Sequence, residues 1–351
     1  MTEKVKQIVL IGAGSIVKYA HLPAYQLAGF KVAGIYDLDL AKAKEAAQQF
    51  SIPIVYTTLH DAVKQRPEEV IFDIAVPPAE IIALLSSLPD RSAVLIQKPM
   101  GEDLQNAKAI VQLCRDKKLI AGINFQLRYA PFIIKAREMI AQGLIGTLCD
   151  IEINVNVHTP WEMWDFLSTV PRLEILYHSI HYIDLIRSLA GNPIGIYAKT
   201  VRYPGMEKLA SVRSNIIMDF GNSMRANILT NHCHHYGQHN QQSYIKLEGT
   251  SGAIKIKMGI LMNYPEGEPD VFEYYIKSEK NENEWKTLPL SGSWFPHAFI
   301  GSMNEVMKAA NGVVRVPDNN VEDCLFTMAC VEAAYESSEG GGIQLEKLLQ
   351  Q

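Results

Sequence analysis

Ile8-Val9-Leu10-Ile11 runs into Gly12-Ala13-Gly14-Ser15-Ile16-Val17, a helical pattern follows, and the chain then reads Lys31-Val32-Ala33-Gly34-Ile35-Tyr36-Asp37. This is an apolar run, a glycine turn, a helix, a second apolar run and an acid. A short buried strand feeding a Gly-x-Gly turn at a helix N-terminus suits a pyrophosphate. Backbone N–H groups point outward there, and the helix dipole favours negative charge. Asp37 lies 20 residues past Val17, the distance at which an acid accepts hydrogen bonds from a ribose diol. The third small residue of Gly-x-Gly-x-x-Gly is replaced by Val17, so helix and strand must take a larger side chain. The alternative is a tight strand-to-helix turn with no nucleotide; strand, helix and acid together favour the nucleotide. Gly12, Ala13, Gly14, Ser15 and Ile16 are the expected phosphate contacts, and Asp37 the ribose contact.

The surrounding composition fits a soluble enzyme-sized chain. Its 351 residues correspond to about two domains. At 48% hydrophobic and 20% charged it buries a full core. A net charge of −5 and the lack of a Lys/Arg block argue against a general nucleic-acid binder. No apolar run reaches the ~18 residues of a membrane span, and Met1-Thr2-Glu3-Lys4 leads into the first strand without a signal peptide. Cys114, Cys149, Cys233, Cys324 and Cys330 form no Cys-x-x-Cys. They read as thiols in a reducing compartment, so a cytoplasmic location is expected.

Strand and helix then alternate. Leu40–Phe50 is a surface helix, Val55-Tyr56 a short strand and Asp61–Gln65 a short helix. Val70–Val76 is a near-continuous apolar run, as in a strand covered on both faces, and Pro77-Pro78 stops it. Ala79–Leu88 is helical, Ala93–Ile96 a strand, Leu104–Lys117 an amphipathic helix and Leu119–Asn124 a strand. Alternation of this kind predicts a doubly wound parallel sheet, whose ligands bind outside the carboxyl ends of the strands. Gly12, Asp37, Val76, Pro77, Gln97, Lys98 and Asn124 all fall at those ends. An ammonium at such a rim donates to a substrate hydroxyl, lowers its pKa or relays its proton as hydride leaves the carbon. The plain alternative is a surface lysine before a proline turn.

The glycine turn, the acid after strand two, the proline after strand four and the Lys98-Pro99 pair after strand five together resemble the Gfo/Idh/MocA oxidoreductases, relatives of glucose-fructose oxidoreductase and inositol dehydrogenase. The resemblance covers nearly the whole chain. It implies an N-terminal Rossmann domain (1–124) and an α+β domain (125–351) for substrate binding and oligomerisation, the latter built on a large, open, mostly antiparallel sheet flanked by helices. The family signature is Glu-Lys-Pro, with a catalytic lysine and an often cis Lys-Pro bond. This chain has Gln97-Lys98-Pro99, an amide in place of the carboxylate, which changes how Lys98 or the nicotinamide ribose is held.

In the second half, Asn124–Pro131 resembles the family's crossing into its second domain and carries Gln126 and Arg128 toward the substrate. Ile151, Ile153, Val155 and Val157 alternate with Glu152, Asn154, Asn156 and His158. One face therefore packs, and the other is wet or binds ligand. Trp161 and Trp164 beside acids suit a sugar, whose C–H groups pack on indole while acids take hydroxyls; a loop anchored by buried aromatics is the equal alternative. The helix Arg172–Ala190 puts Leu176, Ile180, Ile183 and Ile186 on an apolar side. Glu174, Tyr177, His178, His181 and Asp184 fall on one broad polar face; the alternative is a set of hydrogen-bonded buried groups. The family pattern Asp-x-Gly-x-His-x-x-Asp aligns here on His181 and Asp184. His181 carries over as acid/base. The first Asp falls on Tyr177, which donates to a substrate oxygen in its stead, or Glu174 or His178 supplies that contact. These departures point to an unusual subgroup.

From Ile194 on the pattern is antiparallel: Ser211–Phe220 and Ser223–His235 form one hairpin, Tyr244–Glu248 and Ala253–Met258 another, with Val271–Ile276 beyond. The outer face of this family sheet usually makes oligomer contacts, so a homodimer or homotetramer is expected. Val306–Asn311 ends one helix, and Val321–Ser338 is another, capped by Asp318 or Asn320. His232, His234, His235 and His239 raise a metal reading, since His232 and His234 share a strand face. No carboxylate or cysteine completes a set, so substrate contacts or an interface are preferred for them, and no metal is expected.

The sequence thus predicts an NAD(H)-dependent oxidoreductase that moves hydride between nicotinamide and a carbinol or carbonyl carbon of a sugar, polyol or derivative. Lys98, His181 and Tyr177 are its catalytic groups, and Gln126, Arg128, His158, Trp161, Trp164, Glu174, His178 and His232 its substrate contacts. The charge of Asp37 disfavours the 2′-phosphate of NADP. Two other readings stand beside it: an NAD-using glycosidase of the same fold, and a non-catalytic NAD-bound sensor.

Overall fold

The computed structural model describes residues 6–277, 284–343 and 345–349. By internal contacts the chain forms two compact units, one comprising 1–142, 269–272 and 287–328, the other 143–268, 273–286 and 329–351.

The first unit is built on β1 (Gln7–Ile11), β2 (Val32–Tyr36), β3 (Ile54–Val55), β4 (Val70–Ile74), β5 (Ala93–Ile96) and β6 (Ile120–Ile123). They form a parallel sheet in the order β3-β2-β1-β4-β5-β6. β1 lies between β2 and β4, so the order reverses at the glycine turn, the place where such sheets open a crevice. All five residues of β4 are buried, as expected of a strand covered on both faces. Helices α1 (Leu22–Ala28), α2 (Leu40–Phe50), α3 (Leu59–Val63), α4 (Ile81–Ser87), α5 (Leu104–Asp116) and α6 (Pro131–Ala141) follow in sequence. Their starts are chemically marked. Asp39, Thr58 and Asp103 accept backbone N–H groups at the heads of α2, α3 and α5.

The second unit holds β7 (Leu148–Asn156), β8 (Gly195–Val201), β9 (Arg213–Asp219), β10 (Arg225–Asn231), β11 (Gln242–Gly249) and β12 (Gly252–Lys257). With β13 (Val271–Ile276) and β14 (Lys286–Leu288) they make an eight-stranded sheet, β14-β13-β12-β11-β7-β10-β9-β8. β7 and β10 pair in parallel, whereas β8–β9, β9–β10, β7–β11 and β11–β12 are antiparallel. Ile151, Ile153, Val155 and Val157 are buried as the alternation requires. Helix α7 (Ile180–Ala190) is buried all round from Ile180 to Arg187, so its polar groups lie inside the protein.

Helix α8 (His297–Ala310) returns to the first unit. Its Phe299, Met303, Val306 and Met307 share one core with Leu10, Val17, Tyr25 and Ile35. A cut after residue 124 leaves this helix in the other domain; its apolar stripe explains where it belongs. In α9 (Val321–Gly340), Asn320 is the cap, its Oδ1 accepting the Glu322 and Asp323 amides, both at 3.1 Å.

Candidate active site

The glycine turn is shaped by two different needs. Gly12 has φ +110°, and a Cβ there would lie 2.2 Å from the carbonyl oxygen of Ala75. Only glycine lets β1 leave the sheet so close to the end of β4. At Gly14 an added Cβ meets nothing within 4 Å. Glycine is kept there without any crowding from the protein, and the space beside it suits a phosphate brought against bare backbone. Ser15 beside it is exposed and Ile16 half-buried. Asp37 Oδ2 accepts the Ala13 N–H at 2.6 Å and Oδ1 the Asp39 N–H at 2.7 Å. The half-buried carboxylate is thereby fixed at the tip of β2. These features fit a dinucleotide.

Val17, the departure from the glycine fingerprint, is fully buried. The helix it begins opens as a π-turn, Val17–His21, before α1. The widened turn carries His21 into the interior, a feature the sequence reading missed. His21 Nδ1 lies 2.7 Å from Asp73 Oδ2, which also accepts the Tyr25 hydroxyl at 2.6 Å, and Asn124 Nδ2 lies 3.3 Å from His21 Nε2. His21 and Asp73 have no exposed surface. Asp73 was legible as an acid inside the run Val-Ile-Phe-Asp-Ile, where a buried charge demands a partner. Asn124, expected to touch cofactor, is 1% exposed and tied to this group.

Lys98 follows β5 with a cis peptide bond to Pro99. Gln97 Oε1 accepts the Lys98 backbone N–H at 3.0 Å, a bond that a glutamate oxygen would also accept. Burial pushes the Lys98 ammonium down to about 8 from 10.5. Val76 is half-buried and Pro77 exposed after β4. Gln126 is 1% exposed. Arg128, expected to meet substrate, is 3% exposed and donates to the Asp318 carbonyl at 3.0 Å and the Asp323 carboxylate at 2.7 Å. Its charge is used within the first unit's own framework.

In the second unit, the helix expected over Arg172–Ala190 starts at Glu174. Ile175–Ser179 is a π-turn preceding α7, and the extra residue in that turn alters the three-and-four spacing. Glu174 is fully buried; its Oε1 accepts the Ser179 hydroxyl at 2.8 Å and lies 3.5 Å from His232 Nε2. Burial pushes this carboxyl up, but His232, Ser214 and Ser179 outweigh it and hold the group below the usual range. His232, 3% exposed, meets the Thr159 hydroxyl through Nδ1 at 2.9 Å. The half-buried His178 ring lies 4.6 Å from that of His232, inclined 36°, and Trp161 stands edge-on to both. Thus Glu174, His178, His232 and Trp161 form one cluster in which Glu174 and His232 are internal. Trp161 is 6% exposed in an apolar cluster with Leu173 and Cys233, against which Trp164 and Tyr177 pack. His181 is buried at the start of α7, and half-buried His158 meets the His235 ring edge-on at 4.9 Å. His234 Nδ1 lies 3.3 Å from Asn156 Nδ2. Among the described residues no three His, Cys, Asp or Glu side chains group as a metal site requires.

Comparisons with known proteins agree with this architecture. A family model described as an oxidoreductase family with an NAD-binding Rossmann fold matches residues 6–125, and the GFO/IDH/MocA C-terminal domain matches 133–255. Levoglucosan dehydrogenase in complex with NADH superposes with a TM-score of 0.79 at 17% identity, covering 95% of this chain and 97% of that one. An Agrobacterium radiobacter oxidoreductase bound to NAD+, L-tartaric acid and magnesium gives 0.78 at 20% identity, over 98% and 99%. D-apiose dehydrogenase of Rhizobium rhizogenes is 22% identical over 95% of both chains. Mouse trans-1,2-dihydrobenzene-1,2-diol dehydrogenase is 30% identical over 118 residues, and the match spans 34% of this chain and 35% of that relative. The two matched domains, over most of the sequence, place this chain in the GFO/IDH/MocA oxidoreductase family with its NAD-binding Rossmann domain.

Proposed function

We propose that the protein is an NAD(H)-dependent dehydrogenase or reductase acting on a CH–OH or C=O carbon of a sugar, polyol or related diol. The observation that carries this is the grouping, at the carboxyl edge of one parallel sheet, of the bare backbone at Gly14, the fixed carboxylate of Asp37 and the half-buried Lys98. Gly12, Ala13, Gly14, Ser15 and Ile16 would hold the pyrophosphate and Asp37 the adenosine ribose, with Val76, Pro77, Gln97 and Asn124 along the same edge. The nicotinamide supplies the hydride acceptor or donor when bound. Asp37 favours NAD over NADP, since its charge repels a 2′-phosphate and Leu38 after it offers no cation.

Lys98 as an ammonium stabilises negative charge on the carbinol oxygen, and His181 takes or gives that oxygen's proton. Tyr177 stands where relatives carry a carboxylate and serves as a neutral donor. Sugar and diol dehydrogenases among the relatives support this substrate class. No helix among the described residues is long and apolar enough to cross a membrane. Self-association through the open face of the second unit's sheet is favoured by exposed Tyr197, Ile217 and Leu229.

The test is a panel of sugars and polyols, with their oxidised counterparts, read at the absorbance of reduced nicotinamide with NAD and NADP in parallel. Turnover with NAD on one class supports the proposal. Cofactor binding without turnover on any member points to a sensor, and sugar release from a glycoside without net NADH points to the glycosidase reading.

A further inference from the structure

We propose that His21 is a cofactor-positioning residue. Clasped by Asp73, it holds the π-turn that takes over, in this chain, the task of the missing third glycine: it keeps the Gly14–Ile16 backbone where a pyrophosphate needs it. The inference rests on placing the pyrophosphate at Gly12–Ile16, and every residue it uses belongs to the first unit.

In the Gly-x-Gly-x-x-Gly turn the third glycine lets the helix lie close on the strand. Val17 stands at that position and has no exposed surface. It shares a core with Leu10 of β1, Tyr25 of α1 and Phe299 of α8. A helix of regular course would have to rise off β1 to admit the valine, and would carry the Ser15 and Ile16 amides with it. The chain takes another course. The helical run from Ser15 to Ala28 widens into a π-turn at Val17 itself, where the Leu22 N–H reaches five residues back to the Val17 carbonyl. The larger side chain thus coincides with one extra residue in the turn. The Val17 and Lys18 amides still close on the Gly14 carbonyl, at 3.0 and 3.3 Å.

A π-turn is rare, and it persists where its surroundings over-determine it. One carboxyl group does most of this here. Asp73 Oδ2 lies 2.7 Å from Nδ1 of His21, the last residue of the π-turn, and accepts the hydroxyl of Tyr25, one turn further on, at 2.6 Å. Asn124 Nδ2 stands 3.3 Å from the other ring nitrogen of His21, and the Phe299 ring lies 5.0 Å from its ring. His21 therefore has a neighbour at each nitrogen and another at its ring. Asp73 is paired in the sheet with Leu10 of β1 and precedes Ala75, whose carbonyl leaves no room for a Cβ at Gly12. β4 thus grips the cofactor turn at both ends: at Gly12 by close approach, and at His21 through Asp73. The backbone between these points is ordered before a ligand arrives, so binding need not order it. The plain alternative is a buried polar contact that matters to stability alone. It predicts a lower melting temperature and unchanged cofactor affinity in the folded protein.

The test is ligand binding by the full chain, and it needs no turnover. Calorimetry measures NADH and ADP-ribose, the latter carrying the pyrophosphate without nicotinamide; ligand-detected NMR measures adenosine, which has no phosphate. His21→Leu is expected to weaken NADH and ADP-ribose about tenfold and to leave adenosine unchanged. His21→Gln, which can still donate to Asp73, should recover most of that loss. In a Val17→Gly background the helix can lie close without the π-turn, so His21→Leu should cost less than about threefold in ADP-ribose affinity, a coupling that independent effects would not show. Unchanged ADP-ribose affinity in folded His21→Leu overturns the proposal, as does an equal loss for adenosine. An unmodified protein that binds no ADP-ribose overturns the cofactor placement, and this inference with it. If the variants do not fold, hydrogen exchange of the unmodified protein decides. The Leu22 amide is expected to be protected before any ligand is added, and one that exchanges freely until ADP-ribose binds overturns the clasp.

Discussion

Asp37 is tied to Ala13: its Oδ2 accepts the Ala13 backbone N–H at 2.6 Å. The acid at the end of β2 is therefore part of the glycine turn's own hydrogen bonding before any nucleotide is considered. Asp37→Asn keeps an acceptor for that amide and removes the charge. We expect NADH binding to weaken about tenfold and NADPH binding to improve, since a 2′-phosphate is no longer repelled. Fluorescence titration of both cofactors measures this; equal NADH and NADPH affinities in the unmodified protein would sink the assignment.

Gly12 and Gly14 separate folding from binding. An alanine at Gly12 meets the Ala75 carbonyl at 2.2 Å in a positive-φ backbone, so Gly12→Ala is expected to cost about 2–4 kcal/mol of stability. An alanine at Gly14 meets nothing, so its melting temperature should hold while NADH affinity falls at least about tenfold, the methyl occupying phosphate space. Thermal melts paired with NADH titration distinguish the two. A Gly14→Ala variant that binds NADH normally removes the phosphate from this turn.

The contrast between those glycines marks what the sequence could tell. Alternation of apolar runs and helices fixed the parallel sheet, because buried strands and turn residues leave local patterns. The strand ends carrying Gly12, Asp37 and Lys98 came with it. The two π-turns did not, since an inserted residue in a helix has no compositional mark. For that reason the burial of Glu174 near His232 and of His21 against Asp73 leaves no mark in the residue pattern. Arg128 illustrates a further limit: its partners Asp318 and Asp323 lie some two hundred positions away in sequence.

Lys98 carries a pH signature. Its ammonium is pushed down to about 8 by burial. If the charged form stabilises the carbinol oxygen, kcat/KM falls as pH rises through about 8. Lys98→Met should lower kcat by about 10²–10³-fold, and Lys98→Arg should retain more activity and lose the alkaline limb. The stability sign is the reverse. A lysine at 10.5 when unfolded and lower when folded binds more protons unfolded in between, so this group's contribution to stability rises with pH from about 8 to 10.5. A pH–rate profile with no alkaline limb that Lys98→Arg removes would falsify the role.

The buried pair His21–Asp73 sets a stability prediction. Removing one partner takes the 2.7 Å contact away from the other in a site with no exposed surface, leaving Asp73 only Tyr25 or His21 only Asn124, a change that costs about 3–5 kcal/mol. Asp73→Ala and His21→Ala should each lower the urea midpoint by such an amount. Tyr25→Phe, which deletes one 2.6 Å hydrogen bond to the same oxygen, should cost only about 1–2 kcal/mol. Equal losses for all three would show that packing, and not the His21–Asp73 contact, sets the energy.

His181 and Tyr177 offer the sharpest division of labour. His181 is buried at the head of α7, and half-buried Tyr177 sits in the preceding π-turn with its ring 6.1 Å from Phe166. If His181 moves the substrate proton, His181→Ala reduces kcat by about 10²–10⁴-fold while NADH affinity stays level, because the proposed cofactor contacts all lie in the first unit. Tyr177→Phe keeps the ring packing and deletes one donor, so a smaller loss of about tenfold, shared between kcat and KM, is expected. Stopped-flow single-turnover rates alongside NADH titration resolve the two variants. Full activity in His181→Ala, with the loss concentrated in Tyr177→Phe or in His178→Asn, transfers the proton-handling role to that residue.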